Sequence, residues 1–378
     1  MNIEVLGAGF ENKGAHLMLI AIVKELKRAF PGTRIAIRSK EVKNWDPGKL
    51  ELFQKPSLSE HFIGNMVIRH MFDTEARQSS HMILDPEIDV VLDASGFKYS
   101  DQFGKTGIWR RARRIVKWKK TGKKVILLPQ AFGPFKVSKI RKAVQAIADN
   151  VDLMLPRDRD SYGYLTGLVG ERKQIMMYPD FTNMVKGELP DYFSTGNHRT
   201  CLIPNTQMIV KTSDIKGQSY IPFFAKCARY LKEKDLNPFI LNHDMKKDRS
   251  LVLEIQKTSG IPLDIIEEED PIKLKGIIGS CYLVVGSRYH ALINALSQGV
   301  PAIATGWSHK YDRLFEDYGC PEMLISNLDF DAEALGKLKM LTEKDNYNRV
   351  VATLKQSAQL EIQKTERMWR DVIEVISR

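Results

Sequence analysis

The chain has no apolar run approaching the roughly 18 residues that a membrane-spanning helix needs, which excludes a helical span on sequence grounds. Cysteine is scarce. Cys201, Cys227, Cys281 and Cys320 are the four in 378 residues, with neither the short spacing of a metal site nor the density of a disulfide framework. A reducing, intracellular compartment is the simplest reading, and Glu4 in a strand-like opening (MNIEVLGAGF) argues against a signal peptide. Internal repeats and low-complexity tracts are absent, and 43% hydrophobic with 27% charged residues excludes general disorder. Acidic residues are missing from one place. Between Gln102 and Ala148 there is no Asp or Glu but there are fourteen Lys and Arg, so the net charge of +11 is local and the rest of the chain is slightly acidic.

What is present is a repeated pattern of strand, glycine-containing turn and helix. Ile3–Leu6, Arg34–Arg38, Val90–Leu92, Val125–Leu128 and Leu153–Leu155 read as short apolar strands, with helical spacing between most of them, as over Ala15–Ala29. Such runs belong to parallel sheets covered by helices. A polar stretch over 187–199 reads as a linker, after which Cys201–Pro204, Phe239–Leu241, Leu263–Ile266, Tyr282–Val285 and Ala302–Thr305 start a second α/β unit. The length suits two domains. We therefore expect an α/β fold of two Rossmann-like domains facing across a cleft: residues 1–186 and 200–345, followed by a helical segment over 346–378.

The densest chemical signal is Leu283-Val-Val-Gly-Ser-Arg-Tyr-His290, followed by Gly299-Val-Pro-Ala. A strand ends at Gly286, Ser287 is a good helix N-cap, and the helix behind it offers backbone N–H groups to an anion. Arg288 supplies a planar fork for a carboxylate or phosphate. His290 near the positive end of the helix is favoured as a neutral imidazole. After the next strand come Trp307, His309 and Lys310, the last a point charge for a phosphate. The turn Gly7-Ala-Gly9-Phe-Glu-Asn-Lys-Gly14 has neither dinucleotide nor P-loop spacing, but Asn12 and Lys13 over a helix start suit an anion or polyol. Polar loops follow three further strands: Asp93–Gln102 with Ser95, Pro129–Pro134 with Gln130, and Pro156–Ser161 with Arg157. No metal is expected, since His243, Asp244 and Asp248 have no neighbouring ligand cluster in the sequence, and no Gly-x-Ser-x-Gly elbow supports a serine nucleophile.

These motifs together resemble the polysaccharide pyruvyl transferase family. Gly286–Leu292, Gly299–Ala302 and Ser308–Tyr311 carry the most specific part, and Gly9–Ala15, Pro129–Pro134 and Arg157–Ser161 follow the family's other motifs in order, over about residues 3–320. The resemblance implies a GT-B-like fold, with the acceptor side in residues 1–186 and the donor side in residues 200–345. It also implies transfer of pyruvate from phosphoenolpyruvate onto two sugar hydroxyls as a ketal, with release of phosphate and no cofactor. By position, Arg288 and His290 match the donor-site arginine and histidine, Lys310 the downstream lysine and Arg157 the first domain's arginine. His290, Arg288 and Lys310 are thus the expected catalytic residues; Arg157, Ser287, Asn12, Lys13, Ser95, Gln130 and His309 are the expected substrate contacts. Ala94-Ser95-Gly96 departs from the glycine-rich loop of many members, so the acceptor is less determined than the donor. The alternatives are a nucleotide-sugar glycosyltransferase and a non-catalytic saccharide-binding protein.

Within the basic window, Ile108, Ala112, Ile115 and Val116 share a helical face, flanked by Trp109 and Trp118, while the arginines fall largely outside it. With the rest of the chain reading as a metabolite enzyme, nucleic acid is not expected as a partner. The expected partners are phosphoenolpyruvate and a sugar acceptor, free or lipid-linked. An anionic membrane surface meeting window 105–124 would place the protein in the cytoplasm, peripheral to the inner face of the cell membrane.

Overall fold

The computed structural model describes residues 1–39, 50–211, 214–306, 310–325 and 332–378. The chain divides into two compact units, Met1–Phe181 with Lys364–Arg378, and Thr182–Gln363. Unit 1 runs β1 (Asn2–Leu6), α1 (Lys13–Ala29), β2 (Arg34–Arg38), β3 (Leu52–Lys55), α2 (Phe62–Met71), α3 (Thr74–Ser79), β4 (Val90–Asp93), α4 (Lys105–Lys120), β5 (Lys124–Gln130), α5 (Ser138–Ala148), β6 (Leu153–Pro156) and α6 (Arg159–Val169). Its strands are parallel in the order β3-β2-β1-β4-β5-β6, with Ile3 opposite both Ile35 and Val90. This is the Rossmann order, which reverses direction between β1 and β4 and opens loops there at the carboxyl ends of the strands.

Two local causes fix that edge. Asn12 accepts from the Ala15 N–H at 2.9 Å and so starts α1, whose last turn carries Lys27 and Arg28 to suit the helix dipole. Gly7 leaves β1 at φ 76°, and a Cβ there would lie 2.4 Å from the Ser95 Cα. Only glycine lets the loop after β1 and the loop after β4 meet.

Strand β3 was not expected, because Lys55 interrupts its apolar pattern. The structure buries Lys55 completely, with Nζ 2.7 Å from Glu4 Oε2 and 2.8 Å from Asp85 Oδ1. Burial opposes its charge, but the two carboxylates outweigh burial and raise the Lys55 pKa. Burial likewise opposes ionisation of Asp85, yet Lys55 carries its pKa below the usual carboxylate range.

Unit 2 contains β7 (Thr200–Ile203), α7 (Thr206–Lys211), α8 (Asp214–Glu233), β8 (Pro238–Leu241), α9 (Arg249–Ser259), β9 (Ile265–Ile266), α10 (Pro271–Gly279), β10 (Leu283–Gly286), α11 (Tyr289–Leu296), β11 (Ala302–Thr305), α12 (Lys310–Asp317), β12 (Leu324–Ile325) and α13 (Ala332–Thr342). Its sheet, β12-β11-β10-β7-β8-β9, is again parallel and again in Rossmann order. Residues 187–199, read from sequence as a linker, are part of this unit. Gly187 and Gly276 meet so closely that a Cβ on Gly187 would lie 2.4 Å from the Gly276 nitrogen, and Phe193 is buried edge-on to Phe239. The segment expected over 346–378 is the long helix α14 (Lys344–Ser377). It belongs to unit 2 through Gln363 and to unit 1 from Lys364.

The charge cluster generates a stability prediction. Lys55→Met removes the nearest cation from two buried carboxylates, leaving Glu4 with Arg38 at 3.7 Å and Asp85 with Lys123 at 3.6 Å, and should lower stability by about 3–5 kcal/mol in urea denaturation at neutral pH. In the unmodified protein the Asp85 contribution is full above the ordinary carboxylate range and is lost as pH falls through its depressed pKa. The Lys55 contribution is full below the ordinary lysine range and is lost as pH rises through its elevated one. The variant should lose the alkaline limb of the profile and weaken the acid one, since Lys123 still faces Asp85.

Candidate functional site

In unit 2 the site is built on the residue that follows β10. Ser287 is fully buried, and each of its polar groups is engaged. Its N–H donates to the Ile203 carbonyl at 3.1 Å. Its carbonyl accepts from Asn205 Nδ2 at 3.2 Å and from the Tyr311 hydroxyl at 3.0 Å. The Tyr220 hydroxyl donates to Ser287 Oγ at 2.7 Å, and Oγ shares a hydrogen bond with the Thr305 hydroxyl at 2.6 Å. Burial raises the Tyr220 pKa above the ordinary tyrosine range, so this donor keeps its proton. Ser287 is therefore not the helix cap expected from sequence. Arg288 stands at the N-cap of α11 without a capping side-chain bond, because the serine hydroxyl is turned into the Tyr220–Thr305 network.

Ser287 in turn sets the side chains that follow. Arg288 donates from Nε to Asp248 Oδ2 at 2.9 Å and from Nη2 to the same oxygen, and Nη2 lies 3.6 Å from Asp244 Oδ2. The other Asp248 oxygen accepts from the Thr206 N–H at 3.0 Å and the Thr206 hydroxyl at 2.9 Å. One edge of the guanidinium is thus locked. Two residues further, the His290 ring stands edge-on to Tyr289 at 5.9 Å. Lys310, opening α12 after β11, places Nζ 4.9 Å from the centre of that same Tyr289 ring. The structure so brings Ser287, Arg288, His290 and Lys310 together at the carboxyl ends of β10 and β11. Trp307 and His309 lie outside the described residues.

In unit 1 the organising group is Asp93, the last residue of β4. The buried Tyr99 hydroxyl donates to Asp93 Oδ2 at 2.6 Å and Arg111 Nη1 lies 3.3 Å from the same oxygen. Burial, then the Asp93 charge, hold the Tyr99 pKa well above its ordinary value. The Ser95 N–H donates to Asp93 Oδ1 at 3.0 Å, and Gln130 Nε2 donates to the Asp93 carbonyl at 3.0 Å. Gln130 Oε1 is buried with no hydrogen-bond partner among the described residues. The Gln130 carbonyl accepts from the Arg157 N–H at 3.1 Å, which lines Ser95, Gln130 and Arg157 along the ends of β4, β5 and β6. Arg157 is buried and donates from Nη1 to Asp180 Oδ2 at 3.3 Å. Asn12 is occupied as the cap of α1, Lys13 opens that helix, and Gly7 is the residue of their loop that meets Ser95.

Comparison with known proteins bears on the family and the fold. Residues 12–309 match the sequence model of polysaccharide pyruvyl transferase. The chain belongs to that family. That family is, by its description, one of transferases acting on polysaccharide. An 88-residue stretch is 27% identical to the amylovoran biosynthesis protein AmsJ of Erwinia amylovora, covering 23% of this chain and 20% of that protein. The match thus spans about a fifth of that relative's length. Among solved structures, HepE of Anabaena in complex with UDP and glucose aligns at TM-score 0.58 and 12% identity, over 100% of this chain and 99% of that one. The UDP-GlcNAc 2-epimerase of Neisseria meningitidis bound to UDP-GlcNAc aligns at TM-score 0.61 and 10% identity, with the same coverage. The spinosyn rhamnosyltransferase SpnG aligns at TM-score 0.53 and 12% identity, again over 100% and 99%. At these identities the likeness shows the fold, which is GT-B-like.

For this pyruvyl transferase family member, the carboxylates Asp248, Asp244 and Asp180 were missed as partners of the candidate arginines. Each lies 23 or more residues from its arginine in sequence, and no local spacing links them. Tyr220 and Thr305 were missed for the same reason. Tyr220→Phe keeps the ring and deletes the donor to Ser287. It should cost about 1–3 kcal/mol in urea denaturation, with an unchanged m-value.

Proposed function

We propose that the enzyme transfers pyruvate from phosphoenolpyruvate onto two hydroxyls of a sugar in a cell-surface or exopolysaccharide precursor, forming a ketal and releasing phosphate. The observation that supports this reading is that Arg288 and His290 follow the carboxyl end of β10 and Lys310 that of the adjacent β11, with Arg288 oriented by Asp248 and both His290 and Lys310 beside the Tyr289 ring. Phosphoenolpyruvate presents a carboxylate and a phosphate, so its site needs several fixed cations, each charged hydrogen bond contributing roughly 1.5–3 kcal/mol. Protonation of the enol methylene makes the second carbon electrophilic. One sugar hydroxyl adds there and loses its proton, and the second hydroxyl then displaces phosphate. His290 is the proposed acid/base, Arg288 and Arg157 the clamps for the donor's anions, and Lys310 the charge that meets the departing phosphate. Ser287 sets the geometry; Ser95, Gln130, Asn12, Lys13 and His309 are the proposed acceptor-side and further substrate contacts. Phosphoenolpyruvate is a substrate here, and the chemistry proposed calls for no cofactor.

A second reading is a nucleotide-sugar glycosyltransferase, favoured by fold neighbours solved with UDP, UDP-glucose or UDP-GlcNAc. A cytoplasmic position at the inner face of the membrane, with a lipid-linked acceptor, fits the first reading.

Phosphate release from phosphoenolpyruvate, measured with soluble and lipid-linked glycan acceptors, decides between them. Pyruvyl transfer predicts acceptor-dependent phosphate release and no release of UDP from UDP-sugars; the reverse pattern overturns it. His290→Ala should lower turnover by about 10²–10⁴-fold, and unchanged turnover would remove it from the acid/base role. Asp248→Asn should instead raise the KM for phosphoenolpyruvate by about tenfold or more, since it loosens an oriented cation rather than the proton donor.

A further inference from the structure

Helix α2 breaks the rule that a surface helix buries its apolar stripe. Gly64 and Ile68 are its buried residues. Ile63, Met66, Val67 and Met71, spaced to share one face, are 76%, 57%, 43% and 68% exposed. His70 lies on that face, and Leu58 and Phe72 extend the exposed apolar surface at either end. A contiguous patch of this kind on one helix marks an interaction site rather than ordinary surface.

Beside it lies the basic helix α4. Arg110, Arg113, Arg114, Lys117 and Lys120 recur at three- and four-residue spacing and so form one stripe. Arg114 Nη2 donates to Glu60 Oε1 at 2.6 Å and Lys117 Nζ donates to the Glu60 carbonyl at 3.0 Å, which holds the stripe against the start of α2. Glu60 also faces Arg38 at 3.2 Å and Lys55 at 3.3 Å, so its charge is surrounded by cations. Trp109, 43% exposed, carries the Arg113 guanidinium over its ring at 5.8 Å, an amphipathic pair suited to a headgroup boundary.

We infer that unit 1 docks on an anionic lipid bilayer by inserting the apolar face of α2 while the α4 stripe meets the headgroups. Neither signal suffices alone; together they form the apolar-plus-basic combination that interfacial helices use. Charge selects the bilayer over a second copy of the chain, because two-fold pairing through α2 would bring two basic stripes toward each other. The inference is independent of the pyruvyl-transfer reading, since it concerns neither donor nor acceptor chemistry.

Co-sedimentation with vesicles tests it, using phosphatidylcholine alone and phosphatidylcholine with phosphatidylglycerol. The protein should bind the anionic vesicles, weakly or not at all the neutral ones, and less as salt rises. The triple variant Arg110→Ala, Arg113→Ala, Lys120→Ala should lose affinity on the order of 100-fold, at roughly fivefold per basic residue. The triple variant Ile63→Ser, Met66→Ser, Met71→Ser should also lose on the order of 100-fold. Ile63→Ser alone, at the most exposed of these positions, should move binding in the same direction with an unchanged melting curve. Equal binding to neutral vesicles, or undiminished binding by the α2 variants, overturns the proposal. So does a dimer in light scattering that the α2 variant converts to monomer, which would make the face a self-association surface.

Discussion

The site in unit 2 depends on Ser287 being held still from every side. A serine after a strand usually turns its hydroxyl to the next helix. Here Tyr220 and Thr305 take the hydroxyl, and Asn205 and Tyr311 take the carbonyl. With that peptide fixed, Arg288 and His290 leave the sheet at set angles, and Asp248 needs only to lock one edge of the guanidinium. Unit 1 repeats the device with different residues. Asp93 ends β4, the strand in the place that β10 holds in its own sheet, and Tyr99 donates to it from a buried ring as Tyr220 does to Ser287. Each sheet therefore carries a tyrosine-anchored polar residue beside its switch point, where Rossmann-type sheets bind ligands.

The local pattern was enough to place ten of the strands and the parallel, two-unit character of the fold, because strands buried on both faces read as apolar runs. It failed where a buried charge or extreme shortness hid the run. Lys55 made β3 look like surface, although two carboxylates make its burial tolerable, and β12 is two residues at an edge. Within the candidate site, Arg288, His290 and Lys310 could be found from their neighbours in sequence. Asp248 could not, since it approaches Arg288 across 40 positions and only the sheet order brings the two together. The serine cap failed for a related reason, its true partners coming from β11 and α8.

The basic window also changes character once its contacts are known. Arg111 serves Asp93, Lys119 pairs with Asp152, Lys123 reaches Asp85 and Lys124 donates to the Ile376 carbonyl at 2.9 Å. Trp118, expected at the rim of an apolar stripe, is buried in the core beneath Arg114, while Trp109 is the exposed one of the pair. Part of the charge is thus internal structure, holding α4 and β5 to the acidic groups around them. Arg110, Arg113, Arg114, Lys117 and Lys120 share one stripe of α4, and Lys136, Lys139, Arg141 and Lys142 lie on or beside the next helix.

Unit 1 is discontinuous in sequence, and that sets a schedule for its assembly. Trp369, buried edge-on to Phe181 at 5.8 Å, and Asp371, which accepts from the Tyr178 hydroxyl, belong to the same compact unit as β1. Its sheet can form while unit 2 is still being synthesised, but the unit cannot close until residues 364–378 have left the ribosome. During that interval the surface that will hold Trp369 stays open to water, and the nascent chain carries an exposed apolar site that vanishes only when α14 docks.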